Sequence, residues 1–223
     1  MMDLLRGDLE IVGRITDASN ATLLCEIDGQ RVVYKPIAGE RPLWDFPTGN
    51  LASREYASFL VSESLGLDIV PPTVLREGPY GLGMVQLWCE PDENIDVVSI
   101  SQSDSELIRR ICLFDVLVNN GDRKFGHILP ISHSEIRGCD HGVTFNVENK
   151  LRTVLWQWAG LPFTPEEREL IKNAQSLISS SRFSELITEE EVVASVERLD
   201  DLLNTDLFPL PSEEWPPIPW PPF

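Results

Sequence analysis

The sequence predicts an α+β protein, an antiparallel β-rich N-terminal part followed by a mainly helical C-terminal part, its length fitting one domain or two lobes that share one cleft. Short runs of β-formers separated by turn signals fill the first third, and apolar residues recur at helical spacing behind capping residues in the second half. A proline-dense segment closes the chain. These observations divide it into residues 1–90, 91–206 and 207–223.

The runs LEIVGRI, ATLLCEI and QRVVYKPI are rich in β-formers, and Asp28-Gly29 between the last two is a hairpin-turn signal. A helix is expected over LASREYASFLVSESL, with Asn50 as N-cap and Gly66 as C-cap. Pro71-Pro72 stops any helix, and TVLRE, GPYG and GMVQLW read as strand, turn and strand. Residues 91–102 read as a polar connector. Ser103 with Glu106 forms an expected capping box, and Leu107, Ile111, Phe114 and Val118 continue as a helix ending at Asn119-Asn120-Gly121. HILPI and EIRGCDHGVTF read as two short strands. Two further helices open at Thr164-Pro165-Glu166-Glu167 and Thr188-Glu189-Glu190-Glu191. The tail FPLPSEEWPPIPWPPF can be neither helix nor inner strand. Either it is a polyproline ligand for another protein, or Trp215, Trp220 and Phe223 pack it back onto its own domain.

With 18 basic against 36 acidic residues, the net charge of -18 opposes nucleic acid and stable association with anionic membranes, though a local basic cleft can still bind a small anion. No run approaches the roughly 18 apolar residues of a membrane span, and MMDLLRGDLE lacks the regions of a signal peptide. The expectation is a cytoplasmic protein. Its cysteines, Cys25, Cys89, Cys112 and Cys139, lack the paired spacing of a zinc or redox site and are expected as reduced, mostly buried thiols.

A strand lysine, a following helix with a glutamate, then an aspartate loop and a second aspartate-glycine loop form an order that suggests phosphoryl transfer. That reaction needs a cradle for the triphosphate, divalent metal against the developing charge, and a carboxylate oriented toward the attacking hydroxyl. Read together, GDRKFGHIL and CDHGVTF resemble the phosphatidylinositol 3- and 4-kinase-like family, in particular its small bacterial members, distant relatives of protein kinases and HipA-like kinases. The resemblance spans roughly residues 10–200 in order of elements and implies a bilobal atypical kinase-like fold whose first lobe binds nucleotide. It also implies ATP and Mg²⁺ or Mn²⁺ as cofactors.

The family's catalytic loop D-R-H-x-x-N appears here as Asp122-Arg123-Lys124-Phe125-Gly126-His127, and its D-F-G loop as Asp140-His141-Gly142. The resemblance makes Asp122 the catalytic carboxylate, with Arg123 holding the loop or a phosphate. Asp140 becomes a metal ligand. His127 stands where the family has a metal-binding asparagine; imidazole suits Mn²⁺ better than Mg²⁺, and a purely structural histidine is the other reading. His141 replaces the family's phenylalanine, and its role is open. Lys35, one of four lysines, shares a strand face with Val33 and would reach the α- and β-phosphates if that face looks into the cleft. Glu55 is its expected partner, with Glu63 the competing candidate. In DASNAT, Ser19, Asn20 and Ala21 would cover the phosphates, or the segment is a plain hairpin turn. Gln86, Leu87 and Trp88 fall where the lobes join and the adenine edge would be read. WDFPTGN is a candidate substrate-facing loop with a hinge at Gly49.

The function this implies is an ATP-dependent kinase acting on a hydroxyl of a soluble substrate, a sugar- or inositol-like metabolite first and a protein serine or threonine next. A nucleotide-binding pseudokinase and a nucleotidyltransferase moving AMP are the alternatives.

Overall fold

A computed structural model describes residues 4–15 and 20–223. Its larger sheet is antiparallel with strand order β1-β2-β3-β5-β4, built from β1 Glu10–Arg14, β2 Leu23–Ile27, β3 Gln30–Pro36, β4 Thr73–Gly78 and β5 Gly81–Leu87. The alternation in β3 decides which side chains reach the cleft. Val32 and Tyr34 are buried in a small core with Cys25, Ile27 and Val85, so Val33 and Lys35 fall on the opposite face.

Helix α1, Leu51–Ser64, starts where expected: Asn50 accepts from the Ser53 amide at 2.7 Å. The Glu40 carboxylate takes the Leu51 and Ala52 amides as well, at 2.8 and 2.9 Å, so a second side chain satisfies the helix N-terminus. Gly66, at φ +64, stands one residue past the C-cap Leu65. Although α1 follows β3 in the chain, its Ala57, Leu60 and Val61 belong to the larger core under the helical half.

The segment expected as an irregular connector contains a short helix, α2 Val97–Ser101, whose N-cap Asp96 accepts from the Val98 and Ser99 amides. Helix α3, Glu106–Leu117, is capped by Ser105 rather than Ser103, whose hydroxyl turns back to the Ile100 carbonyl. A second sheet pairs β6 Ile128–Ser132 with β7 Glu135–Gly138, and residues 139–145 after it are loop rather than strand. Helices α4 Pro165–Ile178 and α6 Glu189–Thr205 open with the two expected capping boxes, and short α5, Ser181–Ser184, lies between them. No helix among the described residues is long and apolar enough to cross a membrane.

The proline-rich tail packs onto its own chain. Its carbonyls replace the missing amides as anchoring groups: Pro217 accepts from the Thr153 amide at 2.9 Å and Pro222 from the Phe125 amide at 2.8 Å. The Trp215 ring lies 6.3 Å from Trp44 and Phe223 lies 5.3 Å from Phe125. Trp220 does not follow this pattern and is 86% exposed.

One buried ion pair joins α1 to α6. Arg54 donates from Nε and Nη2 to Glu191 at 3.0 and 2.5 Å, while its other donors hold the Thr48 and Asn50 carbonyls. Gly49, at φ +72, lies under this guanidinium, and a Cβ there would come within 3.0 Å of it. The position is thus a packed turn rather than a free hinge. Replacing Arg54 by Ala strands a buried carboxylate, and urea unfolding is expected to show a loss of about 3–5 kcal/mol. The paired change Arg54→Met with Glu191→Leu is expected to be milder than either single change.

Candidate active site

The face of β3 carrying Lys35, the N-terminal half of α1 and the two loops after α3 enclose a cleft of about 750 Å³. Within it Lys35 Nζ donates to Glu55 Oε1 at 2.5 Å and to Asp140 Oδ1 at 2.7 Å. Glu55, not Glu63, is therefore the helix partner. Helical phase turns Glu55 inward, 2% exposed, whereas Glu63 is on the solvent side. The second Glu55 oxygen accepts the His141 amide at 3.2 Å, tying α1 to the Asp140 loop. Gly142 lets that loop lie close, since a Cβ would meet Leu51 Cβ at 3.1 Å.

The Asp122 loop is built around Arg123, which is 0% exposed. Arg123 donates from Nε and Nη2 to Asp115 of α3 at 3.0 and 2.8 Å, and from Nη1 to the His127 and Cys139 carbonyls at 3.1 and 3.3 Å. Nη2 also donates to His141 Nε2 at 2.7 Å. Of the two roles expected of Arg123, the contacts seen are those of the first: each guanidinium nitrogen donates to a protein group that holds the loops. His141, the other unexpected member, fills the phenylalanine position as a buried ring edge-on to Phe114 at 5.3 Å, and its Nδ1 has no partner among the described residues.

Asp122 faces the cleft, its amide held by Asn120 Oδ1 at 3.0 Å and its carboxylate 3.2 Å from Lys124 Nζ. Sequence reasoning passed over Lys124, Asn120 and Asp115. Only Lys124, two residues from Asp122, had a readable signal. Burial pushes the Asp122 carboxyl up, with Lys124 and His127 pulling against it. Asp140 is the opposite case: Lys35 holds it well below the usual carboxylate range. For Lys35 burial works downward, but Asp140 and Glu55 together leave it raised. Burial pushes Glu55 up against the pull of Lys35.

His127 Nδ1 is 2.8 Å from the Asp122 carbonyl, which can only accept, so the proton sits on Nδ1. Nε2 then presents its lone pair 3.5 Å from Asp140 Oδ2. Burial lowers the His127 pKa, favouring this neutral form. A lone pair and a carboxylate oxygen facing each other without a proton between them suit a divalent cation. Among the described residues no three His, Cys, Asp or Glu side chains form a closed metal cage.

The nucleotide-contact residues fare unevenly. Ser19 lies outside the described residues. Asn20 and Ala21 line the cleft, but the Ala21 amide donates to the Gly39 carbonyl at 3.2 Å and is not free for a phosphate. Asn20 Oδ1 accepts the Arg41 amide at 2.9 Å. Gln86, Leu87 and Trp88 also line the cleft, yet the Gln86 side chain donates to Thr73 at 2.9 Å, and the Leu87 and Trp88 amides bond to Pro72 and Arg31. The two amides extend the sheet's backbone pairing, and the Gln86 side chain ties β5 to β4. The Cys89 amide, one residue beyond, has no partner among the described residues and lines the same cleft.

No protein-family model matches the chain. It is 38% identical to a protein of Mycobacterium tuberculosis, Rv2133c, over 99% of this chain and 94% of that one. The chain belongs to the family of this mycobacterial protein. Among solved structures it resembles the Helicobacter pylori proinflammatory kinase CtkA, at a TM-score of 0.50 and 12% identity, covering 93% of this chain and 95% of that one. The family member thus has a bilobal kinase-like α+β fold.

With burial lowering its pKa, His127 is expected to be neutral at pH 7, with its proton on Nδ1. Long-range ¹⁵N–¹H NMR of the imidazoles checks this. Two protonated nitrogens at pH 7 would contradict the assignment.

Proposed function

We propose that the chain is an ATP-dependent phosphotransferase, moving the γ-phosphoryl group to a hydroxyl of a soluble substrate, a sugar- or inositol-like metabolite before a protein serine or threonine. The observation that carries this reading is the convergence of Lys35, Glu55 and Asp140 with Asp122 and His127 in one cleft between the lobes. It supports a division of labour. Lys35, oriented by Glu55, binds α- and β-phosphate oxygens, and the Cys89 amide is the free donor beside the adenine position. Asp122 accepts the proton of the attacking hydroxyl, and Lys124 next to it faces the negative charge that develops.

Asp140 and His127 fit a divalent ion as a donor pair, the remaining ligands coming from phosphate oxygens and water. When bound, such an ion neutralises charge on the β- and γ-phosphates. A nitrogen donor in this pair favours Mn²⁺ over Mg²⁺.

Thermal unfolding with ATP and Mn²⁺, with ATP and Mg²⁺, and with neither tests the site. Nucleotide at about a hundred times its Kd is expected to add roughly 2.7 kcal/mol, raising Tm by about 5–10 °C. Asp140→Ala is expected to abolish the rise, and His127→Asn to move the preference from Mn²⁺ toward Mg²⁺. No rise with either metal would sink the reading.

The reaction should also depend on pH with a definite sign. Asp122 acts only as the carboxylate, and burial raises its pKa above the usual value of about 3.9. The kcat is expected to be level at higher pH and to fall as pH drops through that raised value. Asp122→Asn should remove the acidic limb and lower kcat by about 10²–10⁴-fold.

A further inference from the structure

The arrangement proposed above leaves the part of the cleft lining around Asp122 without a nucleotide contact. There Gly121, Asp122 and Arg152 meet Trp44 and Asp45 of the loop before α1. A side recess of about 120 Å³ shares Gly121, Arg152, Trp44 and Asp45 and adds Lys150 and Trp215. Its walls are indole faces: Trp44 and Trp215 are inclined at 35°, with Lys150 Nζ 4.4 and 4.2 Å from their centroids. Trp215 comes from the proline-rich tail, whose Pro216 carbonyl accepts Arg152 Nε at 3.0 Å.

Arg152 is well placed to read a substrate. Its amide donates to the Asn120 carbonyl at 2.9 Å and its carbonyl accepts the Arg123 amide at 3.1 Å, so its backbone brackets Asp122. Among the described residues its guanidinium has no carboxylate partner, although the chain carries a net charge of -18. Lys150 differs, being paired with Asp45 and Glu148 at 3.4 and 2.9 Å. A half-buried guanidinium left without a carboxylate in so acidic a protein is suited to an anion from outside.

We propose that Trp44, Trp215 and Arg152 form the acceptor subsite, and that the acceptor is a small hydroxyl compound already bearing an anionic group, a phosphate or carboxylate. The anion sits on Arg152 and the carbon skeleton lies against the indoles. The hydroxyl gives its proton to the Asp122 carboxylate as its oxygen bonds to the γ-phosphorus. The bond from that phosphorus to the β–γ bridging oxygen breaks, and ADP leaves. The proposal rests on the phosphotransferase reading.

The test is calorimetry on the full chain with Mn²⁺ and a non-hydrolysable ATP analogue, recording nucleotide binding first. Glucose 6-phosphate against glucose, glycerol 3-phosphate against glycerol, glycerate against glycerol, and inorganic phosphate are then titrated. At least one anionic probe is expected to bind about tenfold or more tightly than its neutral counterpart. Arg152→Gln should remove that difference while nucleotide affinity stays within about twofold, and Arg152→Lys should restore part of it. Trp44→Ala, at a residue 78% exposed, weakens the carbon-skeleton contact at little risk to folding. Equal binding of anionic and neutral probes, no effect of Arg152→Gln, or no probe bound on a nucleotide-loaded protein would each overturn the subsite. Failure of the nucleotide itself to bind would overturn the phosphotransferase reading, and the subsite with it.

Discussion

The arrangement of the cleft depends on one buried ion pair, Arg123 with Asp115, both 0% exposed. Removing two such charges from water costs several kcal/mol per ion, and the pair is tolerable only when the remaining donors are satisfied. Here they are, and by informative partners. One guanidinium holds α3 through Asp115, the Asp122 loop through the His127 carbonyl, and the Asp140 loop through the Cys139 carbonyl and His141. The two carboxylates that matter most for the proposed chemistry are thus referred to the same rigid group. An apolar pair of equal volume would fill this space, but it would leave both loops without a common anchor.

A second constraint acts from the other side of the cleft. Glu55 can orient Lys35 only if α1 is fixed, and α1 is fixed by burial in the larger core and by the Arg54–Glu191 pair to α6. The sheet that carries Lys35 and the loops that carry Asp122 and Asp140 meet across this helix. The His141 amide on Glu55 and the Ser58 hydroxyl 3.2 Å from Thr144 complete the join. The tail adds the last wall, held by carbonyls because prolines have no amide to offer.

Much of this was legible in the sequence because it is local. Strand alternation around Lys35, the caps at Asn50, Thr164 and Thr188, and the Asp122 and Asp140 loops are patterns within a few residues. What was not legible depends on which of several available partners a group takes, near or far in the chain. Ser105 wins the α3 cap because Ser103 finds the Ile100 carbonyl. The donors at Gln86 to Trp88 read as free until strand register assigns them to Thr73, Pro72 and Arg31. Arg123 reads as a loop residue next to an aspartate, and only the fold shows that Asp115, eight residues earlier near the end of α3, takes its charge. The side on which the tail would lie was equally open, since polyproline has no periodic apolar face to indicate its neighbour.

If this cleft transfers the terminal phosphoryl group as proposed, Asp122 is the side chain on which the rate of transfer depends most. ³¹P NMR of ATP with Mn²⁺, a pool of hydroxyl acceptors and either the parent chain or Asp122→Asn tests it most directly. ADP and a new phosphate ester are expected with the parent, and ATP still bound and largely intact over the same time with Asp122→Asn. Pyrophosphate as the product, or ADP formed equally by both proteins, would contradict it.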